Sequence, residues 1–487
     1  MPFTSPTFLF VFLPGFLAAY WLARVRWARN GLLLGASLLL YAWGEGRYVL
    51  LLLLSILANY LLGLWLRRAR RGGSTGLPFA IGVGVNLLPL VLLKYASLLG
   101  AVGVPMRTIA AWRLPAGISF FTFMALSYLI ATYRGEVDAE RNPVRLGCYI
   151  ALFPLTMAGP ICRYLDLAPQ LTGRRESAAA FAEGARRFVL GLGKKVLIAD
   201  TLAIPANLAF GFGVDRLAPG LAWFGLVCYT LQIFFDFSGY TDMAIGIGRM
   251  LGFRFMENFD APYAARSLRA FWSRWHISLS TWFRDYVFLA IAYPAGRAAE
   301  RLRLTPRRAD FCAYGAASIA TMLLIGLWHG GTWGFIAWGA YHGVVLVLER
   351  TRAGRVFAGA PAPLQHAYLL VVVMVGWVLF RATTVAHTLG FLGALAGRSG
   401  GDPAPIARLA QADVLLALAA AVVLSTRAGS AVRRAVDRWV SSKPAPVAVR
   451  IESAFGVAEC ACLAVLLVVS LSALSAGTFA PFLYFRF

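Results

Sequence analysis

Charge is scarce in this chain. Only 14% of its residues are Asp, Glu, Lys or Arg, where a soluble domain carries about a quarter. Acidic residues are the rarer sign, 22 against 46 basic, for a formal net charge of +24. In a soluble protein that excess would point to nucleic acid. Here the basic residues fall in short loops between apolar runs, so the membrane surface replaces nucleic acid as the partner. Cysteine is sparse and badly spaced for pairing. Cys148, Cys162, Cys228, Cys312, Cys460 and Cys462 lie in or beside apolar segments and no CxxC pair occurs, which argues against a disulfide framework or a zinc site and for small buried thiols. There is no internal repeat and no long linker. That predicts one integral domain over 1–487 and counts against a secondary transporter, where matching halves are common.

Apolar residues are what the chain has in excess: 59% are hydrophobic and mean hydropathy is +0.69. The clearest runs are Thr7–Ala23, Tyr48–Leu66, Pro78–Leu99, Leu221–Phe235, Phe311–Trp328, Ala367–Phe380 and Ala454–Ala476. A bilayer core needs about 20 such residues per helix, and that length rule predicts about 10 to 12 crossings. The expected fold is an all-α polytopic membrane protein, with re-entrant or interfacial helices besides the spans. Arg24, Arg26 and Arg29 follow the first span and Arg67, Arg68, Arg70 and Arg71 a later one, while the loop between holds Glu45 and Arg47. The positive-inside bias therefore puts the N-terminus outside the cytoplasm. The basic stretch Thr426–Arg450 belongs inside, so the last span exits outward. Both termini are then expected to be extracytoplasmic, with an even number of full crossings. Met1–Thr7 carries no basic residue and no small-residue cleavage site follows, which argues against a removable signal peptide.

Polar residues interrupt the apolar pattern between residues 191 and 343. The segments are GLGKKVLIAD (191–200), FFDFSGYTDMAIGIGRM (234–250), FMENFDAPY (255–263), FWSRWHISLSTWFRDY (271–286) and LWHGGTWGFIAWGAYHG (327–343). Ionisable groups at membrane depth are costly and face a cavity or a partner, so this stretch is the expected functional centre. FWSRWHISLSTWFRDY fits an amphipathic helix with Trp272, His276, Leu279, Phe283 and Tyr286 on one face. By residue pattern alone an interfacial anchor with His276 simply packed is the preferred reading, against which His276 falls on the buried side of the helix. His329 ends a long apolar helix before Gly330-Gly331, where a backbone break would project the imidazole at a cavity edge. Burial favours neutral imidazole, the form a general base requires; the alternative is a helix-end histidine satisfying a stray carbonyl. His342 reads as structural, and His366 and His387 carry no signal. Asp236 and Asp242, six apart around Ser238-Gly239, suit a helix break or a cation, with the structural role preferred. Lys194 and Lys195 suit either a lipid headgroup or an anionic cofactor.

With FTSPTFLFVFLPGFLAAYW, LPAGISFFTFMALSYLIATYRG (114–135) and AGPICRY (158–164), these segments resemble the membrane-bound O-acyltransferase (MBOAT) family over nearly the whole chain. The likeness is greatest to its bacterial branch acting on exported polysaccharides such as alginate, and weaker to D-alanyl transferases. After FRDY this chain reads VFLAIAYPAG where the family has a Pro-Leu-Gly-Gly-like turn. The resemblance implies a helical bundle in the bacterial inner membrane, thinned at its centre and reached by donor from the cytoplasm and acceptor from outside. The reaction it implies moves an acyl group, acetyl, from a cytoplasmic thioester, acetyl-CoA, toward polysaccharide hydroxyls, with no bound cofactor or metal and with an extracytoplasmic acetyltransferase as partner. His329 is then the catalytic base, and His276 orients the donor or stabilises the oxyanion. Lys194, Lys195, Asp236, Ser238, Asn258, Trp275, Arg284 and Trp328 are the candidate lining of donor site and tunnel. A D-alanyl transferase fed by a carrier protein and a flippase of a lipid-linked intermediate are the rival readings. The FLYFRF segment (482–487), in the C-terminal helix and tail region 454–487, is by composition an aromatic interfacial anchor. By resemblance to the Phe-Leu-Tyr-Phe motif of polysaccharide acylation systems, it makes Tyr484 a candidate acyl relay.

Overall fold

A computed structural model describes residues 2–101, 114–401, 404–477 and 482–483. Among these the chain is helical, with no strand. Six helical stretches are long and apolar enough to cross a membrane: Arg26–Arg71, Gly76–Ala96, Pro219–Met250, Pro306–His329, Ala362–Arg381 and Ala445–Ser475. The first is two helices, Arg26–Glu45 and Val49–Arg71, joined by a short 3-10 turn. Five shorter apolar helices of 10–17 residues accompany them. The chain is thus a multi-pass α-helical membrane protein. Val49–Arg71 shows the reason locally. Leu52, Ile56, Asn59, Leu62 and Leu66 point inward at three- and four-residue steps, while Leu50, Leu53, Leu54, Leu57 and Leu61 are exposed on the other side. A helix apolar on its outer face as well is one whose solvent is lipid.

The chain forms two compact units. One is chiefly Met1–Phe188 with Tyr240–Glu257, the other chiefly Val189–Gly239 with Asn258–Leu483. In the first, Asn59 and Asn86 exchange side-chain amide hydrogen bonds at 2.9 Å, the kind of polar contact that joins helices in lipid. Buried Arg174 and Tyr20 meet Glu176, which also takes Arg26 and Arg29 at 3.0 and 2.9 Å. Arg187 bridges Asp242 and Glu257.

Three local expectations are corrected. Pro219–Met250 runs unbroken past Asp236 and Asp242; each carboxylate has a cation, Lys195 or Arg187, so neither needs a gap in the helix. The 271–286 stretch is not one helix. Leu268–Trp272 stops, the backbone turns at His276, and Ile277–Phe283 begins anew, passing into a π-helical turn at Arg284–Phe288. Of the six thiols, Cys148, Cys162 and Cys228 are buried, whereas Cys312, Cys460 and Cys462 are exposed, because the helices bearing them turn apolar faces outward.

Candidate functional site

Both candidate histidines, His276 and His329, lie in the second unit. His276 is the first residue to settle, because its backbone is unusual. Its φ and ψ are 44° and 53°, the left-handed region, which costs a non-glycine residue about 1–3 kcal/mol and persists only where the surroundings enforce it. They do so through Asn258-Phe259-Asp260. The Ile277 N–H donates to the Asn258 carbonyl at 3.0 Å, and the Asp260 N–H donates to the Arg274 carbonyl at 3.1 Å. Between these backbone bonds the Asn258 side chain is buried. Its Oδ1 lies 3.2 Å from the Ser278 N–H, 2.9 Å from Ser278 Oγ and 3.0 Å from His276 Nδ1. The ring of His276 is 1% exposed, meets Phe237 edge-on at 4.6 Å between centroids and faces Trp328 at 6.0 Å. His276 lies outside the six spans, and burial pushes its imidazole down to about 3. Trp275, also buried, stacks on Phe271 and adjoins Trp377.

His329 is the last residue of the helix Pro306–His329, and the next helix, Trp333–Glu349, doubles back against it. Glycines permit the close approach. A methyl at Gly326 would overlap the Phe335 carbonyl, and one at Gly339 the Met322 carbonyl. His329 is thereby enclosed by rings: Trp328 at 4.7 Å, Phe380 at 4.9 Å, Trp338 at 5.3 Å and Phe335 at 6.1 Å. Trp328 touches both histidine rings, so the two candidates flank one indole. His342 also packs on Trp338, 4.9 Å away, and meets Trp272. Its Nε2 would be only 2.5 Å from a methyl at Gly376, so it fills a groove against the next helix.

Lys195 is buried between two carboxylates. Its Nζ is 2.6 Å from Asp200 and 2.6 Å from Asp236, with the three side chains 4%, 5% and 3% exposed. Asp236 also accepts the Leu483 N–H at 2.8 Å, and Phe482 packs beside Phe237 at 5.9 Å. The start of FLYFRF is therefore tied to the helix turn that supports His276. Tyr484 lies outside the described residues. Ser238 is buried, Lys194 is half-buried, and Arg284 is exposed and paired with Asp285 at 2.7 Å. Two polar residues escaped the sequence reading. Asp200 completes the ion triad. Arg381 follows Phe380 and, with Asn207 and His387, lines a cavity of about 590 Å³; its guanidinium donates to Asn207 Oδ1 at 2.5 Å.

The fold and the enclosed histidines define a membrane protein with a buried polar centre suited to chemistry. The MBOAT family model, described as the membrane-bound O-acyltransferase family, matches residues 142–386. The chain belongs to that family and is an O-acyltransferase. It is 38% identical over 508 aligned positions to the probable alginate O-acetylase AlgI of Pseudomonas putida, covering 100% of both chains. It is 30% identical to the peptidoglycan O-acetyltransferase of Helicobacter pylori, over 82% of this chain and 80% of that one. To the teichoic acid D-alanyltransferase of Bacillus subtilis it is 27% identical, over 57% and 69%.

Proposed function

We propose that the chain transfers an acetyl group from a cytoplasmic thioester, acetyl-CoA, across the bacterial inner membrane toward hydroxyls of an exported polysaccharide such as alginate. The observation that carries this is His329, held at a helix end inside a cage of four aromatic rings. Neutral His329 takes the proton of the attacking hydroxyl as its oxygen bonds to the thioester carbonyl carbon. The C–S bond then breaks, and the proton passes to the departing thiolate, so an ester and free CoA thiol result. Such proton transfer contributes roughly 10² to 10⁴ in rate. No resident cofactor or metal enters the scheme.

The first acceptor in this reading is Tyr484. A phenol becomes a covalent nucleophile when a neighbouring base takes its proton. The contacts of Phe482 and Leu483 with Phe237 and Asp236 support a tail held near the histidines. An acetyl ester on Tyr484 would then pass to a polysaccharide hydroxyl on a separate extracytoplasmic acetyltransferase, regenerating the phenol. CoA itself would never cross. The likeness to AlgI proteins favours an acetyl donor and an alginate-like acceptor; that to the D-alanyl transferases keeps a carrier-bound aminoacyl donor as the competitor. The test is thiol release by the purified protein from acetyl-CoA, with carrier-bound D-alanine as the alternative donor. His329→Ala should abolish release while the protein still accumulates and folds. Near-normal release by that variant removes His329 as the base.

A further inference from the structure

The Asn258 contacts determine where the proton sits on His276. A backbone N–H can only donate, so the Asn258 atom 3.2 Å from the Ser278 N–H is the carbonyl oxygen; with the amide turned over, two donors would face each other. The Ser278 hydroxyl 2.9 Å from the same oxygen fits as a second donor. The group 3.0 Å away on His276, Nδ1, must then also be a donor. That leaves the lone pair of the neutral ring on Nε2. The backbone clamp and left-handed φ of 44° fix the ring's orientation as well. Asn258 Nδ2 makes no hydrogen bond among the described residues, so the oxygen is the working end of this side chain.

We propose that Asn258 is a positioning residue that locks His276 as the Nδ1–H tautomer, making Nε2 a fixed hydrogen-bond acceptor for an O–H or N–H of a substrate rather than a donor to the oxyanion. This rests on the acyl-transfer reading above and assigns His276 its part in it. The location suits the part. Phe237, against one side of His276, also carries Phe482, while Trp328, against another, precedes His329. An acceptor there orients a substrate group between the tail anchor and the base, and only the neutral ring performs it. Oxyanion stabilisation would need the opposite tautomer or the imidazolium.

The two roles respond to acid in opposite directions, and Asn258→Asp exposes the difference. The carboxylate keeps the acceptor for Ser278 N–H, Ser278 Oγ and His276 Nδ1, and those three donors hold it ionised. An ionised Asp beside the ring favours imidazolium and raises the His276 pKa, by about one unit or more. As pH falls through that raised value Nε2 gains a proton and its lone pair is lost. The expected result is an Asn258→Asp enzyme whose turnover, relative to its own alkaline value, falls toward acid starting at a higher pH than the wild type's does. Asn258→Leu, which frees the tautomer, should lose about 10- to 100-fold in turnover, as for other residues that orient a functional histidine. Membrane abundance and thermal midpoint are measured alongside for both. An Asn258→Asp profile superimposable on wild type overturns the proposal, and so does activity that rises toward acid pH, the mark of a donor. Failure of the underlying reading is separately visible: His329→Ala would remain active, or the wild type would release no thiol.

Discussion

Replacing Lys195 by Met removes one positive charge and little volume, and the structure sets the size of the consequence. Asp200 and Asp236 each lie 2.6 Å from the same Nζ, so the two carboxylates are about 5 Å apart or less. Without the ammonium they repel by about 3 kcal/mol at an effective dielectric of about 20. Loss of one partner from a buried ion pair costs about 3–5 kcal/mol in general, because the charge left behind is unsolvated. Both routes give the same range. The purified Lys195→Met protein should unfold several degrees below wild type when followed by tryptophan fluorescence in detergent. Adding Asp236→Asn removes one of the two facing charges while leaving an oxygen for the Leu483 N–H. The double variant should therefore recover part of the loss, a coupling expected of residues in direct contact. A Lys195→Met midpoint equal to wild type, or a double variant less stable than the single by the full cost of a second lesion, refutes the triad as a charge-balanced unit.

Gly339→Ala pushes a methyl into the Met322 carbonyl, and such overpacking costs about 1–3 kcal/mol; because the displaced helix carries Phe335 and Trp338 of the His329 cage, acyl transfer should fall more than membrane abundance does. Equal falls in both, read by activity per immunoblot signal, would count against the cage as a functional feature. Tyr484→Phe keeps an aromatic anchor and removes only the hydroxyl. Loss of polymer acetylation at normal membrane levels is expected, and wild-type acetylation would return the first acceptor to the polymer itself. Single cysteines placed within 24–29, 67–71 and 427–450 in a chain cleared of its own exposed thiols should resist an impermeant label in intact cells. Labelling at 427–450 would reverse the placement of the last span.

Much of the membrane architecture was legible because lipid imposes a simple rule: about 20 apolar residues for each crossing. The runs Phe311–Trp328 and Ala367–Phe380, read that way, stop one residue short of the ends of the helices Pro306–His329 and Ala362–Arg381 and begin five residues after their starts. The rule is weaker where helices fall short of it. Five apolar helices of 10–17 residues join the six longer stretches, and a run such as Ala412–Leu424 is long enough to fold but short of a full crossing. Cysteine burial was misjudged for a related reason. In a lipid-facing helix an apolar neighbourhood in sequence does not mean burial, and Cys460 and Cys462 ride on Ala445–Ser475, where Ser470 is the one residue buried among those described. The WHGG segment was informative because glycine after a long apolar helix has few physical uses, and the helix does end at His329.

The features missed were those that depend on departures from the ordinary helix. A reader stepping at three and four residues does not pair Lys195 with Asp200, five positions on. Residues Lys194–Ala199 form a π-helical turn in which the Asp200 N–H reaches back to the Lys195 carbonyl. That wider turn places fifth neighbours on one face and closes the salt bridge at 2.6 Å. π-Turns of this kind concentrate at functional sites, so the irregularity that hid Asp200 also points to it. The same holds at His276. Periodicity put it on the buried side of an amphipathic face, and the resemblance made it a candidate, but neither showed what holds the ring. The setting of its ring depends instead on the left-handed backbone angle and on an asparagine eighteen residues earlier. Nothing in the spacing of either segment requires them to meet. An interfacial anchor needs only its aromatic rings and is indifferent to which imidazole nitrogen holds the proton. Here three donors converge on one amide oxygen and leave the ring a single neutral tautomer, at a backbone cost that simple packing would not demand.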